Sequence, residues 1–290
     1  MPSNSNDQLL DYLRNLATKV CEPYKALPQT KGILSMGSVA YGHVDHYSDI
    51  DLAIYYDELP TPEQLDIAMK TNGAEKLVWA LGERNDGGII ESYLVKGVEC
   101  QFAHTTAEAW QRHMDSVLVN LDVDSPIQKA LSGLLEGTAI HGAEFIEKYK
   151  EQARTYPEAL AQAMVKRYLN FQPLWAIQER LKVRDTLLWR QQILVEGAQN
   201  VLGVLAGLNH LYYTTFQFKR MGHFIDSMKI KPADLEAKLT RMLSDADRGP
   251  QIFKGIVADV VELIETHMPE ADTSGARRGL AREDQKWTLE

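Results

Sequence analysis

The spacing of apolar residues changes along the chain and predicts two regions of different structure. Leucines at helical spacing predict an amphipathic helix over residues 7–26. Short apolar runs then predict strands over residues 32–36, 49–56, 89–95 and 97–104, with a helix over 63–70. Beyond about residue 105 strand signals almost vanish, and helices are predicted over 157–182, 186–208, 211–228, 232–243 and 251–267. The predicted fold class is α+β, an N-terminal mixed-sheet domain followed by an all-helical C-terminal bundle.

The same change in pattern predicts the domain limits. A first domain is expected over residues 1–145 and a helical domain over residues 146–268. Residues 269–290 are polar and lack a clear apolar stripe, so they are expected to form a tail that is flexible or packs as an arm.

Composition narrows the class of protein. The 290 residues are 44% hydrophobic, enough to bury a real core, and no apolar run approaches the ~18 residues of a membrane span. The first residues lack the basic flank and apolar core of a signal peptide, which predicts a cytoplasmic protein. A formal charge of -9 argues against a nucleic-acid partner and favours a cationic small molecule. The two cysteines, Cys21 and Cys100, form no CxxC pair and are predicted to be reduced core thiols.

Two carboxylates stand in an otherwise strand-like stretch, MGSVAYGHVDHYSDIDLAIY, over residues 36–55. Aspartate is depleted in strands, so Asp49 and Asp51 need a functional reason. Side chains at i and i+2 of a strand project from the same face. Paired carboxylates on one face suit Mg²⁺, which takes one or two carboxylates together with substrate phosphates and waters.

A third carboxylate is expected on a neighbouring strand. Glu99, in the run VECQF, is the first choice. Glu91 on the preceding strand is the alternative if the register between the strands slips. His43 and His46 in the intervening loop raise zinc as an alternative, but the oxygen ligands favour a hard cation. The sequence therefore predicts Asp49, Asp51 and Glu99 as metal ligands.

Gly37 and Ser38 stand where the first strand ends and a helical turn is predicted to begin. Free backbone N–H groups and a hydroxyl at such a point can bind a phosphate, and the missing Cβ of glycine lets the phosphate approach. Together with the carboxylates they predict a site for a metal and a triphosphate.

The arrangement of Gly-Ser, ten residues, Asp-Ile-Asp-Leu and a later acidic residue on an apolar strand resembles the nucleotidyltransferase superfamily that includes DNA polymerase β. Gly37, Ser38, Asp49, Asp51 and Glu99 match its motif positions. The resemblance implies two Mg²⁺ ions, with the first two carboxylates bridging both, and ATP or another nucleoside triphosphate as co-substrate.

One departure from that motif lies just after the Gly-Ser pair. Many relatives carry an arginine there, whereas this chain has Val39, Ala40 and Tyr41. A phosphate contact made by that arginine must come from another residue.

The plan of a small catalytic domain followed by helices resembles the nucleotidyltransferases that modify aminoglycosides and lincosamides. That resemblance implies transfer of a nucleoside monophosphate, AMP from ATP, to a hydroxyl of a small cationic acceptor. Two alternatives remain open: a toxin-like enzyme that acts on a protein or a tRNA, and a nucleotide-sensing module without catalysis.

The helical region offers further candidate residues in LNHLYYTTFQFKRMG, residues 208–222. Relatives of this type often reach a lysine from the helical domain to the β- or γ-phosphate, which suggests Lys219, with Arg220, Asn209 and Tyr212 nearby. A solvated basic turn explains the same lysine equally well. Glu196, with apolar neighbours in sequence, is a candidate general base unless it faces solvent.

Overall fold

The computed structural model describes residues 5–283 and residue 287, and within them six strands form one sheet. The strands are β1 (Thr30–Met36), β2 (Ile50–Tyr56), β3 (Trp79–Leu81), β4 (Gly88–Val95), β5 (Val98–Thr106) and β6 (Thr138–His141). The helices of the first half are α1 (Ser5–Val20), α2 (Glu22–Lys25), α3 (Gly37–Tyr41), α4 (Pro62–Thr71), α5 (Ala107–Leu118), α6 (Ile127–Glu136) and α7 (Ala143–Arg154). Those of the second half are α8 (Glu158–Tyr168), α9 (Leu174–Lys182), α10 (Leu187–Leu208), α11 (Met221–Asp226), α12 (Leu235–Ser244), α13 (Gly249–His267) and α14 (Ser274–Ala281). This arrangement confirms the predicted α+β fold class.

The strand order is β3-β4-β5-β2-β1-β6, and the sheet is mixed. Strands β2 and β5 pair in parallel, whereas β4 with β5 and β2 with β1 pair antiparallel. In this register Asp51 on β2 lies opposite Met36 on one side and Gln101 on the other. The four predicted strands are confirmed; β3 and β6 were not predicted.

The described residues form two compact units, the first made of residues up to 120 together with 130–155. One face of its sheet is covered by α1, α2 and α4 and forms an apolar core that includes Tyr24, Tyr93 and Phe102. Tyr93 and Phe102 stack with ring centroids 4.6 Å apart. Alternation along β2 places Ile50 and Leu52 in this core, so Asp51 lies on the opposite face.

The opposite face is covered only in part. Tyr55 on β2 contacts Trp110 of α5 and Tyr149 of α7, with ring centroids 5.6 and 6.3 Å apart. Tyr55 lies four residue positions along the strand from Asp51, about 13 Å at the usual rise. The aromatic cluster therefore anchors one end of β2 and leaves the end with Asp51 partly exposed.

The second unit contains residues 121–129 and those from 156 onward. Helix α10 packs against α8 and α13 there, with side chains such as Val201 and Phe253 fully buried. The single helix predicted over residues 157–182 is wrong, because the chain leaves the helix after Tyr168 and starts α9 after Pro173. Proline lacks the N–H for a continuing helix, and it disfavours helical backbone in the residue before it.

The helix predicted over residues 211–228 is also wrong. Residues 211–220 are not helical, and only the short α11 forms afterwards. Asn209 ends α10, and the next residue, His210, has a φ of 54°. That left-handed residue prevents α10 from continuing, and two more, Gln217 with a φ of 47° and Arg220 with a φ of 59°, interrupt helical backbone in the segment that follows.

The polar tail contains α14, which lies against α13. Arg277 Nε donates to Glu265 Oε1 at 3.0 Å and ties the two helices together. No helix within the described part of the chain combines the length and apolarity that crossing a membrane requires. The domain limits expected at residues 145 and 268 stay predictions.

Candidate active site

Asp49 and Asp51 lie at the start of β2. Asp49 directly precedes the strand and Asp51 is its second residue. Both are partly exposed, while Ile50 between them is fully buried. The local sequence thus brings two carboxylates to the same face of the sheet, as predicted from their spacing.

Gly37 lies directly against the second carboxylate. It follows the last residue of β1, has a φ of 64°, and begins α3. A Cβ built on Gly37 would lie 2.1 Å from Asp51 Oδ2. The position therefore requires glycine both for its left-handed backbone and for the space that the carboxylate occupies.

Ser38 contributes a hydroxyl next to this carboxylate pair. Its Oγ is buried and has no hydrogen-bond partner among the residues that the structure describes. Buried polar atoms are almost always hydrogen-bonded, and exceptions often mark the place of a bound group. A phosphate oxygen or a hydrated cation would satisfy this hydroxyl.

Strand β5 adds Glu99 and Gln101 on the same face as the aspartates. Since Ile50 pairs with Cys100 and Asp51 with Gln101, the parallel register places Glu99 alongside Asp49. Gln101 Nε2 donates a hydrogen bond of 2.9 Å to Asp49 Oδ2. The amide therefore fixes one oxygen of Asp49.

Glu99 is held by two other donors. Trp79 Nε1 and Ser92 Oγ both donate to its Oε1, at 2.8 and 2.6 Å. Trp79 lies on β3 and Ser92 opposite it on β4, so the two donors come from the strands beyond β5. These bonds direct Oε1 toward β4 and β3.

The donor set suits a hard divalent cation. Asp49, Asp51 and the unpartnered Ser38 hydroxyl supply oxygen atoms, and Mg²⁺ needs only one or two protein carboxylates beside phosphates and waters. Within residues 5–283 and 287, however, no three His, Cys, Asp or Glu side chains are grouped closely enough to hold a metal. The residues fit a cation at Asp49 and Asp51, and the two-ion arrangement with Glu99 stays a prediction.

The alternative third ligand, Glu91, faces the other way. It pairs with Phe102, and its carboxylate lies 3.6 Å from Nε2 of the buried His104. His104 Nδ1 is hydrogen-bonded to the hydroxyl of Tyr56 at 2.9 Å. Burial lowers the pKa of His104, which keeps the imidazole neutral, although Glu91 opposes that shift. Register therefore separates Glu91 from the aspartates and leaves Glu99 on their face.

The loop histidines do not join the carboxylates in a metal cluster. His43 and His46 are exposed, and the backbone N–H of His43 donates to the Ser38 carbonyl at the end of α3. No zinc-type grouping of side chains occurs in the described ranges.

Four residues predicted from the helical region lie in the second unit near the end of α10. Asn209 donates to the carbonyls of Leu205 and Ile230 and accepts from the N–H groups of Lys229 and Ile230. Its amide is therefore occupied by backbone groups, and its assignment as a nucleotide ligand stays a prediction.

The other three differ in exposure. Tyr212 is buried, with its ring 5.1 Å from that of Tyr156, and burial raises its pKa. Lys219 and Arg220 are exposed in the non-helical segment, and Arg220 has a φ of 59°. A phosphate-binding role for Lys219 stays a prediction, although the helix that was expected to present it does not form.

Glu196 faces solvent on α10. Its Oε1 accepts a hydrogen bond of 2.8 Å from Gln192 one turn earlier. The apolar setting that would make it a strong general base is absent, so that premise is wrong.

Three residues that touch the site carboxylates were not predicted: Trp79, Ser92 and Gln101. Gln101 was detectable in principle, since it stands two residues after Glu99 on the same predicted strand. Trp79 and Ser92 reach Glu99 through the pairing of β3 with β4 and of β4 with β5, and the three-residue β3 shows no pattern of its own in the sequence.

A family of known proteins matches the part of the chain that contains most of the candidate site. Residues 13–86 match the family model described as "Nucleotidyltransferase domain", a segment that includes Gly37, Ser38, Asp49 and Asp51. The match confirms the resemblance to the DNA polymerase β-like nucleotidyltransferase superfamily and supports nucleotidyl transfer as the activity. The resemblance to antibiotic-modifying enzymes stays a prediction.

One solved structure with a similar chain is a nucleotidyltransferase-like protein from Exiguobacterium sibiricum 255-15. The two share 12% sequence identity, with a TM-score of 0.33, over 90% of this chain and 81% of that chain. A search of curated proteins returned no significant match.

Proposed function

We propose that this protein is a Mg²⁺-dependent nucleotidyltransferase that moves AMP from ATP to a hydroxyl of a small cationic acceptor of the aminoglycoside or lincosamide type. The observation that carries the proposal is the contact between Gly37 and the Asp51 carboxylate, with Asp49 on the same face. Beyond its left-handed backbone, Gly37 leaves the space that the Asp51 carboxylate occupies, so a side chain there would displace the carboxylate. The family match over residues 13–86 supports the same reaction class.

The residues of the first unit have distinct roles in this proposal. Asp49 and Asp51 would hold the cation, and Ser38 with the Gly37 backbone would bind the triphosphate. The cation would neutralise charge on the phosphates and lower the pKa of the acceptor hydroxyl. Glu99 lies beside Asp49 on β5, and we propose that it would add a ligand to the cation from the acceptor side of the site.

The transfer itself is an in-line displacement. The acceptor oxygen forms a bond to the α-phosphorus, the bond to the bridging oxygen of the β-phosphate breaks, and pyrophosphate leaves with the electron pair. The hydroxyl proton passes to a base or to water. The protein supplies orientation in this step, because fixed carboxylates and backbone groups align the two oxygens without reorganisation during the reaction.

The open sheet face beside Glu99 supports an acceptor with apolar surface. Leu81, Ile90 and Leu94 lie on the same face as Ser92 and are 63%, 39% and 51% exposed. Exposed apolar side chains next to carboxylates suit a ligand that offers both hydrophobic surface and an amine. This combination favours a lincosamide-type acceptor over a polycationic aminoglycoside.

A nucleotide-sensing module without catalysis is the second candidate. It is favoured by one observation, the hydrogen bonds that hold Glu99 on Trp79 and Ser92 while no three-carboxylate group forms among the described residues. Such a module would bind ATP with the cation and transfer nothing.

A mass-spectrometric assay separates the candidates. The full chain is incubated with Mg²⁺, each nucleoside triphosphate and a panel that contains a lincosamide, an aminoglycoside, tRNA and a protein lysate. A mass gain of one nucleoside monophosphate on a drug supports the proposal. Label found only on tRNA or protein contradicts the small acceptor, and nucleotide binding without any transfer supports the sensor.

Salt dependence tests the charge of the acceptor. The Debye length falls from about 10 Å at 0.1 M salt to about 3 Å at 1 M, so attraction of a polycation to the carboxylates is screened. An aminoglycoside should lose affinity steeply over this range, and an acceptor with a single amine should lose much less.

A further inference from the structure

Asp49 and Glu99 share one pattern of hydrogen bonding. Gln101 donates to Oδ2 of Asp49, and Trp79 and Ser92 donate to Oε1 of Glu99. The second oxygen of each carboxylate has no hydrogen-bond partner among the residues described by the structure. Each carboxylate is thus held through one oxygen and open at the other.

The three donors form a continuous row across the sheet. Trp79 on β3 lies opposite Ser92 on β4, Ser92 lies opposite Gln101 on β5, and Gln101 lies opposite Asp51 on β2. All of them project from the face that carries the aspartates. Because neighbouring strands are about 4.8 Å apart, the row fixes its donors relative to the carboxylates through the backbone ladder.

The donors are neutral, which matters for the charge of the site. A neutral indole, hydroxyl or amide orients a carboxylate without cancelling its charge, unlike a lysine or arginine in an ion pair. Both carboxylates therefore keep their attraction for a cation. Hydrogen-bonded carboxylates with one oxygen left open are the usual arrangement around bound metal ions.

The hydrogen bonds of two of the donors contribute little to folding stability. Trp79 lies on an edge strand of three residues and is only half-buried, and Gln101 is partly exposed. Hydrogen bonds at partly exposed positions add less to folding free energy than fully buried ones, because water can compete for their partners. Ser92 is fully buried, so its bond has a structural component as well.

We propose that Trp79, Ser92 and Gln101 are positioning residues that hold Asp49 and Glu99 in the orientation that binds the divalent cation and its nucleotide. The inference rests on the proposed function. It implies that cation affinity depends on neutral donors that touch neither the cation nor the nucleotide.

The test measures cation binding rather than turnover. Mn²⁺ is titrated into the full chain in the presence of a non-hydrolysable ATP analogue, and free Mn²⁺ is followed by electron paramagnetic resonance. The variants are Trp79→Phe with Ser92→Ala, alone and combined, and Gln101→Leu. The Phe and Leu substitutions keep a similar apolar bulk while removing the donor.

We expect the combined Trp79→Phe, Ser92→Ala variant and Gln101→Leu each to weaken Mn²⁺ binding about 10- to 100-fold, the usual effect of losing such a partner. Each single change at Trp79 or Ser92 should have a smaller effect, because the remaining donor still holds Oε1. A general loss of stability would not make the effect of one substitution on Mn²⁺ affinity depend on whether the other donor is present.

Matched controls remove similar groups elsewhere. Trp287→Phe alters an indole that is 83% exposed, and Gln111→Leu removes an amide that donates to Asp115 at 2.9 Å on α5. Both should bind Mn²⁺ like the unmodified protein. Thermal unfolding of every variant without metal shows whether the fold survives; if the Ser92 change unfolds the chain, Gln101→Leu and Trp79→Phe decide the question.

The outcomes separate this inference from the proposed function. Unchanged Mn²⁺ affinity in the folded donor variants, with loss of binding in Asp49→Asn and Asp51→Asn, would overturn the positioning role and leave the function intact. Unchanged affinity in the two aspartate variants would overturn both.

Discussion

Gly37 and the Asp51 carboxylate lie so close together that a methyl group on Gly37 would collide with the carboxylate. A Cβ on Gly37 would lie 2.1 Å from Asp51 Oδ2, less than any real non-bonded contact. The end of β1 and the start of β2 are therefore fitted to each other at the carboxylate, and the fit gives the first prediction.

Gly37→Ala should displace the Asp51 carboxylate and reduce nucleotidyl transfer about 100-fold, the effect of a shift of about 1 Å in a catalytic group. The alanine also pays about 1–2 kcal/mol for its left-handed backbone. Gly73→Ala is the matched control, because Gly73 has a φ of 82° and open space around its missing Cβ. Transfer assays and urea unfolding on both variants should show a larger stability loss at position 37, where the clash adds to the backbone cost, and an activity loss only at that position.

Asp49→Asn and Asp51→Asn should each abolish transfer and leave the stability of the metal-free protein unchanged or raised. Replacing one of two neighbouring carboxylates relieves like-charge repulsion, which gives the sign. Calorimetry without metal and turnover with Mg²⁺ check the two halves of the prediction. Near-normal turnover in either variant would show that the carboxylates do not bind the catalytic cation.

Unfolding free energy should fall as pH drops below about 6.5, because burial lowers the pKa of His104 from its ordinary 6.5. The unfolded chain then binds a proton that the folded chain refuses, so stability is full above that pH and is lost on the acid side. Urea unfolding between pH 8 and pH 5 measures the slope. His104→Gln should be less stable at pH 8 but should show a shallower slope, and an unchanged slope would place the titration elsewhere.

Neither thiol should react in the folded protein. Cys21 and Cys100 are buried and free, and burial raises the pKa of each to about 12, which suppresses the reactive thiolate. A thiol reagent at pH 8 should label no cysteine in the native protein and both in urea, counted by mass spectrometry. Fast native labelling would mean that the sheet core opens locally.

Leu94→Ser should raise the KM for an acceptor with apolar surface by about tenfold, since a buried leucine contributes about 1.5–3 kcal/mol. The KM for ATP should stay the same, because Leu94 is on β4, which lies on the side of β5 away from Asp49 and Asp51. Val119→Ser is the control, an exposed apolar residue at the end of α5 and outside the sheet. Equal acceptor KM in both variants would remove the apolar face from the acceptor site.

Local signals in the sequence were sufficient for much of this protein. Alternation of apolar residues located β1, β2, β4 and β5, and the spacing of Asp49 and Asp51 placed both on one face. These features depend on periodicities of two residues and on short-range backbone chemistry, which the sequence contains in full. The two core thiols were predicted from the small number and wide spacing of the cysteines, and both are free and buried.

Other features depended on contacts between distant segments. The break between α8 and α9 and the non-helical residues 211–220 were missed, because apolar spacing alone outweighed the breaking signals there. The end of α10 at Leu208 was predicted. Strand β3 is too short to show a pattern, yet it supplies Trp79 to Glu99.

The tertiary structure alone decided which carboxylates lie next to each other. Pairing between β2 and β5 set Glu99 beside Asp49, and pairing between β4 and β5 turned Glu91 toward His104. A change of one residue in strand register would exchange the two faces, and no local pattern specifies register between strands that are about 50 residues apart in sequence. The sequence identified the candidate carboxylates, and strand pairing determined which of them lie side by side on one face of the sheet.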